Sequence, residues 1–170
     1  MAHCPLIFLL TERNIISALS AVVVKRRLCT SWQRLGQPAD AGYVVLTSTH
    51  ILCPADGSFA GDVPAVQNLW QQGRYAVIGT PEFATGKLTL PPQSVYEALK
   101  LQADVILCEA DGSRHHPCKV PAEYEPVILP DSDIVLAVAG MDALGNSLQQ
   151  ACQRPQLAAE LLCCSAEKNH

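Results

Sequence analysis

The sequence predicts an α/β fold: a mostly parallel sheet covered by helices on both faces, in three layers. Three observations predict it. Residues 104–108 and 134–139 are near-continuous runs of Val, Ile, Leu and Ala, the pattern of strands buried on both faces. Segments with helical spacing lie between such runs, as parallel crossovers require. The chain has 170 residues, 49% hydrophobic and 16% charged, enough for one core and too short for two full domains. A single domain over residues 1–170 is expected.

From residue 43 onward each element follows from its residues. Residues 43–47 are apolar and β-branched and end in the polar run Thr47-Ser48-Thr49-His50. Residues 63–72 read as a helix that stops at Gly73, a residue suited to the left-handed turn after a helix. Residues 75–79 form the next strand, and 87–90 a short extended piece able to hairpin off it. Pro92 opens a helix over 93–102 with Val95, Ala98 and Leu99 on one face. The buried strands 104–108 and 134–139 follow, and a further helix starts across 157–162. The chain stops soon after that helix begins, so a missing C-terminal part is expected.

Composition excludes several classes. A net charge of −4 gives no basic face for nucleic acid. No apolar run is long enough to span a membrane, and the opening residues lack the basic start and cleavage site of a signal peptide. A cytoplasmic protein with no nucleic-acid or membrane partner is therefore expected. Eight cysteines at irregular spacing, with no C-x-x-C pair, read as reduced thiols, most of them buried. The pair Cys163 and Cys164 reads as an apolar helix end. His115, His116 and Cys118 lack a second Cys/His pair and do not make a zinc site.

Ligands of open α/β sheets bind outside the carboxyl ends of the strands, and three such ends carry polar groups. Beyond strand 104–108 stand Glu109 and Asp111. Two residues apart in extended chain, they point to one side. These are the candidate catalytic and metal-ligating residues, hard oxygen ligands for Mg²⁺ beside a phosphate or a base for an activated water. The alternative is a simple Asp-Gly turn with a solvated neighbour. Thr47, Thr49 and His50 can hold a metal, a phosphate or a water, or form a capped loop. Asp142, between Gly140 and Gly145, suits a ribose or base contact. Arg114 directly follows the acidic pair. Lys119 opens a Pro-locked segment, 119–126, able to order a lid over the carboxylates or to cross the sheet edge. Arg114 and Lys119 complete the cofactor-binding candidates.

The stretch VILCEADGSRHHPCKVPAEYEPVILPDSDIVLAVAGMDALG, with GYVVLTSTHI upstream, resembles the selenium-dependent molybdenum hydroxylase accessory proteins (YqeC-like). The resemblance covers residue 42 to the C-terminus. It departs from the family pattern at Leu129, inserted before Pro130, and at Gln153-Arg154-Pro155, where the family has His-Arg-Pro. The family resembles P-loop NTPases, which implies Mg²⁺ and ATP or GTP as cofactors. It also implies a role in maturing a selenium-dependent molybdenum hydroxylase, with that hydroxylase or its maturation proteins as partners.

The glycine-rich phosphate loop that the resemblance calls for is absent. In its place stand Val22-Val23-Val24-Lys25, whose β-branched side chains cannot adopt the turns that wrap a phosphate. Residues 13–39 contain no acid, yet hold Arg13, Lys25, Arg26, Arg27 and Arg34, five of the 12 basic residues. A one-base shift of reading frame is compatible with this. Every Val codon begins with GT, so the shifted string can read G-G-G-G-K-T-S-L-M-Y-E-L-A-E-A-W, a phosphate loop followed by an amphipathic helix. As written, residues 14–40 are expected to be atypical and partly helical, with the Lys25–Arg27 cluster facing solvent or a partner. Nucleotide binding is expected to be poor. Two further readings stand beside this one. One is a non-enzymatic binding or scaffold protein of the hydroxylase system. The other is a thiol carrier for a soft atom using Cys108, Cys118 or Cys163, although core packing suits Cys108 better.

Overall fold

The computed structural model of the protein describes residues 6–11, 19–26 and 42–167. In chain order it contains β1 (Leu6–Thr11), β2 (Leu19–Arg26), β3 (Tyr43–Thr47), β4 (Ile51–Leu52), β5 (Phe59–Ala60) and α1 (Val63–Gln71). Next come β6 (Ala76–Ile78), β7 (Thr80–Glu82), β8 (Lys87–Thr89), α2 (Gln93–Gln102), β9 (Val105–Gly112) and β10 (Cys118–Lys119). The chain ends with β11 (Ile134–Gly140), a 3₁₀ turn (Met141–Ala143), α3 (Leu148–Ala151), β12 (Cys152–Gln153) and α4 (Pro155–Leu161).

Seven strands form the main sheet in the order β1-β11-β2-β9-β3-β6-β5. All its pairings are parallel except those of β2, which runs antiparallel to both β11 and β9. The fold is thus α/β on a mostly parallel sheet, compatible with three layers. One face carries the core. Val44 and Leu46 of β3, Ala76 and Ile78 of β6, and Ile106, Cys108 and Ala110 of β9 cluster with Val66 and Leu69 of α1 and with Tyr96 and Leu99 of α2. Truncating one such side chain to alanine removes roughly 2–5 kcal/mol.

Local chemistry sets the helix limits. Asp62 Oδ1 accepts the Ala65 N–H at 2.8 Å, capping α1. Gly73, at φ +68°, ends that helix in the left-handed region its missing Cβ permits. Pro92 stands just before α2, and Lys100 in the last turn of α2 pairs with Glu97 at 2.9 Å and Asp131 at 2.6 Å. Among the described residues no helix is long and apolar enough to cross a membrane.

Three expectations are corrected. Residues 19–26 form a strand in the middle of the sheet, so helix is ruled out there; Ala21-Val22-Val23-Val24 is β-branched and apolar, and pairs with β11 and β9. The rest of residues 14–40, with Arg27, lies outside the described residues. The 87–90 piece does form a hairpin, β7 to β8, but in a separate three-stranded sheet with β4. The third concerns the thiols. Cys108 and Cys152 are buried, Cys118 and Cys164 half-buried, and Cys53 and Cys163 exposed, while Cys4 and Cys29 lie outside the described residues. The helix α4 stops at Leu161, and Leu161 and Leu162 are exposed, so Cys163 and Cys164 lie beyond a helix end that faces out.

Candidate functional site

The chain leaves β3 toward β5 and β6 on one side, then returns through α2 to β9 on the other. Such a reversal opens a crevice at the carboxyl ends of the two central strands. Thr47 ends β3 there, in register with Glu109 of β9. The strand β9 continues to Gly112, so Glu109 and Asp111 lie within it and not beyond its end.

A bulge marks the spot. Val22 of β2 stands opposite Glu109 and Ala21 opposite Asp111, which leaves Ala110 without a partner residue in β2. The Ala110 carbonyl accepts instead from Val127 N–H at 3.0 Å. The segment after Lys119 therefore crosses the end of β9, where Ser48 Oγ also donates to the Val127 carbonyl. The lid alternative and the sheet-edge alternative for this segment merge into one strap tied to the strand ends.

Beneath the strap lies a network of charges. Lys119 Nζ donates to Asp111 Oδ1 and to the Gly112 carbonyl (2.8 Å), and pairs with Glu125 Oε2 at 2.7 Å. The Lys119 and Asp111 side chains are each 1% exposed. Arg154 Nη1 reaches the same Glu125 oxygen at 2.9 Å and donates to the Val120 carbonyl at 2.9 Å. Arg154 sits at φ +68°, an uncommon conformation for a non-glycine residue, held by these bonds. With its amide nitrogen turned inward, Gln153 donates to the Gly112 and Ser113 carbonyls at 3.2 Å. Gly140 closes the floor: a Cβ there would lie 2.9 Å from Pro117 Cβ, so only glycine allows this approach.

One atom is left over. Asp111 Oδ2 is buried and has no hydrogen-bond partner among the described residues, a costly state for a carboxylate oxygen. Burial pushes Asp111 up against the pull of Lys119. Burial and the adjacent Asp111 charge raise Glu109 to about 7, with Lys119 opposing. Burial works against ionised Glu125 too, but hydrogen bonds from Lys119 and Arg154 hold it at about 2. Neighbouring carboxyls with split proton affinities, at a strand-end crevice, have the character of a functional site.

The other candidates fall differently. Thr47 Oγ1 donates to the Glu109 carbonyl at 3.0 Å and accepts the Thr49 N–H at 2.9 Å, so the 47–49 hydroxyls form a capped loop that braces Glu109. His50 is exposed at the end of that loop. Arg114 and His115 form an exposed turn with positive φ just past Gly112. Asp142 lies in the 3₁₀ turn after β11, its carbonyl accepting from Asn146 Nδ2. Lys119 is the candidate that moves most, from cofactor ligand to buried clamp on Asp111. Glu125, Gln153 and Arg154 join the site only through the fold. Their signal is charge inside a Pro-locked segment and beside Pro155. Among the described residues no group of three His, Cys, Asp or Glu is arranged to hold a metal ion, so any cation here rests on two carboxylates.

Thiol chemistry is a poor fit at Cys108 and Cys118, two of the three carrier candidates, while Cys163 is exposed. Burial pushes Cys108 up to about 11, and burial with the neighbouring Cys152 pushes Cys118 to about 12; such thiols are weak nucleophiles at neutral pH. Iodoacetamide on the native protein should modify exposed Cys53 and Cys163 first and leave Cys108 and Cys152 unmodified, as read by peptide mass spectrometry. Fast labelling of Cys108 or Cys118 would restore the carrier reading.

Comparison with known proteins adds a family. The model of a family described as YqeC protein matches residues 29–156. The chain is also 32% identical over 122 residues to the Escherichia coli (strain K12) protein named "Uncharacterized protein YqeC". That alignment covers 71% of this chain and 43% of the relative, so it spans less than half of the relative's length. No solved structure matches the chain.

Proposed function

This chain belongs to the YqeC protein family, and we propose that it is an accessory factor for maturation of a selenium-dependent molybdenum hydroxylase, working through a Mg²⁺ site at Glu109 and Asp111. The observation that carries the site is the buried, unpartnered Asp111 Oδ2 beside Glu109 at the sheet's reversal point. Mg²⁺ suits it, being bound by one or two carboxylates while keeping several waters. When bound, the ion would supply positive charge against phosphate oxygens. Thr47 and Ser48 fix the Glu109 backbone, and Lys119 fixes Asp111.

Among the described residues none forms a phosphate cradle for ATP or GTP. Lys25 pairs with Ile106, three residues back from Glu109, or about 10 Å along the strand. Its backbone thus sits toward the wrong end of β9. The same observation favours, as a second reading for this chain as written, a non-enzymatic binding protein of the hydroxylase system. That reading expects partner capture whether or not a phosphate loop is present.

Titration with Mn²⁺ followed by electron paramagnetic resonance tests the site. Binding should tighten as pH rises from 6 to 8, because Glu109 releases its proton near 7 and a cation needs the ionised form. Asp111→Ala should weaken binding at least tenfold, the scale of losing one charged ligand, and Glu109→Gln should flatten the pH dependence. No binding at millimolar Mn²⁺ at pH 8 would refute the proposal.

A further inference from the structure

Asp111 divides its carboxylate between two surroundings. Oδ1 is held by Lys119, whose ammonium is also bound by the Gly112 carbonyl and Glu125. Each of the three ammonium protons thus has an acceptor inside the protein. Lys119 is 1% exposed, and Glu125 is itself clamped by Arg154 at 2.9 Å, so the lysine has nowhere to withdraw. The ladder of β10 with β12 places Lys119 beside Gln153 and fixes the backbone on both sides. Asp111 can therefore offer an incoming cation only Oδ2, the oxygen that has no partner.

Cations differ in what they ask of a carboxylate. Mg²⁺ takes six ligands in near-octahedral geometry, uses single carboxylate oxygens and keeps waters. Ca²⁺ takes six to eight oxygens and gains from carboxylates that bind through both. We infer that Lys119 is the specificity-determining residue of the site: by occupying Asp111 Oδ1 it restricts Asp111 to one oxygen and selects Mg²⁺ over Ca²⁺. The inference rests on the cation reading of Glu109 and Asp111, and goes beyond it by assigning the choice of ion to a residue that touches no ion.

The test is displacement of bound Mn²⁺ from the full chain by Mg²⁺ and by Ca²⁺, again read by electron paramagnetic resonance. In the wild type Mg²⁺ should displace at roughly tenfold lower concentration than Ca²⁺, and Lys119→Gln should move that ratio at least tenfold toward Ca²⁺ as Asp111 becomes free to bind through both oxygens. The double variant Lys119→Gln/Glu125→Gln removes one charge of each sign and should show the same shift; circular dichroism identifies which variants are folded. Lys119→Arg should keep the Mg²⁺ preference. A wild type that prefers Ca²⁺, or a ratio unchanged in a folded variant, overturns the role of Lys119 and leaves the cation site standing. A wild type that binds no Mn²⁺ overturns both.

Discussion

Lys119→Met is expected to lower the midpoint of thermal unfolding by about 10 °C. The side chain is 1% exposed and lies between Asp111, also 1% exposed, and Glu125, 17% exposed. Removing one partner of a buried pair leaves an uncompensated charge, at a cost of about 3–5 kcal/mol. For a chain of 170 residues, each kcal/mol moves the midpoint by roughly 2–4 °C. The deficit should shrink on acidification. Burial already pushes Asp111 up, so without Lys119 it takes a proton more readily as the pH falls, and the stranded charge disappears. Glu125, held at about 2 against an ordinary 4.5, contributes stability that is intact above pH 4.5 and is lost only as the pH drops toward 2. Arg154→Met, at a partly exposed pair, should cost only about 1 kcal/mol. Calorimetry at pH 7 and pH 5 checks all three statements, and a Lys119→Met midpoint within 2 °C of wild type at pH 7 contradicts them.

Replacing the stretch that begins at Ala21 with G-G-G-G-K-T-S-L-M-Y-E-L-A-E-A-W is expected to create nucleotide binding where there is little. As written, Val22, Val23 and Val24 lie in β2, paired between β11 and β9, so their backbone is committed to the sheet and not to a phosphate loop. A glycine-rich turn running into a helix supplies those N–H groups and a lysine for the terminal phosphates. Mg²⁺–ATP or Mg²⁺–GTP should bind at least 100-fold more tightly, about 2.7 kcal/mol, by isothermal titration calorimetry. Asp111→Ala in the restored chain should abolish most of that gain. If the restored chain binds neither nucleotide better than the chain as written, the nucleotide dependence that the family resemblance implies falls and the binding-protein reading takes its place.

Much of the sheet is legible from residue types alone. The apolar runs at 43–47, 104–108 and 134–139 read as interior strands, and β3, β9 and β11 form on them, but every residue of β11 is only half-buried, so burial on both faces fails for that strand. Pro92 and Gly73 bound the two long helices because each restricts or frees φ where a helix begins or ends. Periodicity fails at β2. Its apolar, β-branched run is plain, but the absence of the expected loop draws attention to what the segment lacks and away from the strand it makes.

The sequence by itself determined that two carboxylates, Glu109 and Asp111, follow directly on the apolar run 105–108, two residues apart. It also determined that Val22–Val24 cannot wrap a phosphate, a matter of side-chain shape. Only the tertiary structure decided what surrounds the pair. Lys119 reaches Asp111 from 8 residues further along the chain, and Glu125 and Arg154, 14 and 43 residues further along, hold that lysine through a strap and a two-residue ladder that no local pattern announces. An ion pair forms wherever folding brings opposite charges into a site without water, and that is a property of distance in space. The same holds for Asp111 Oδ2, whose lack of a partner exists only once everything around it has been placed.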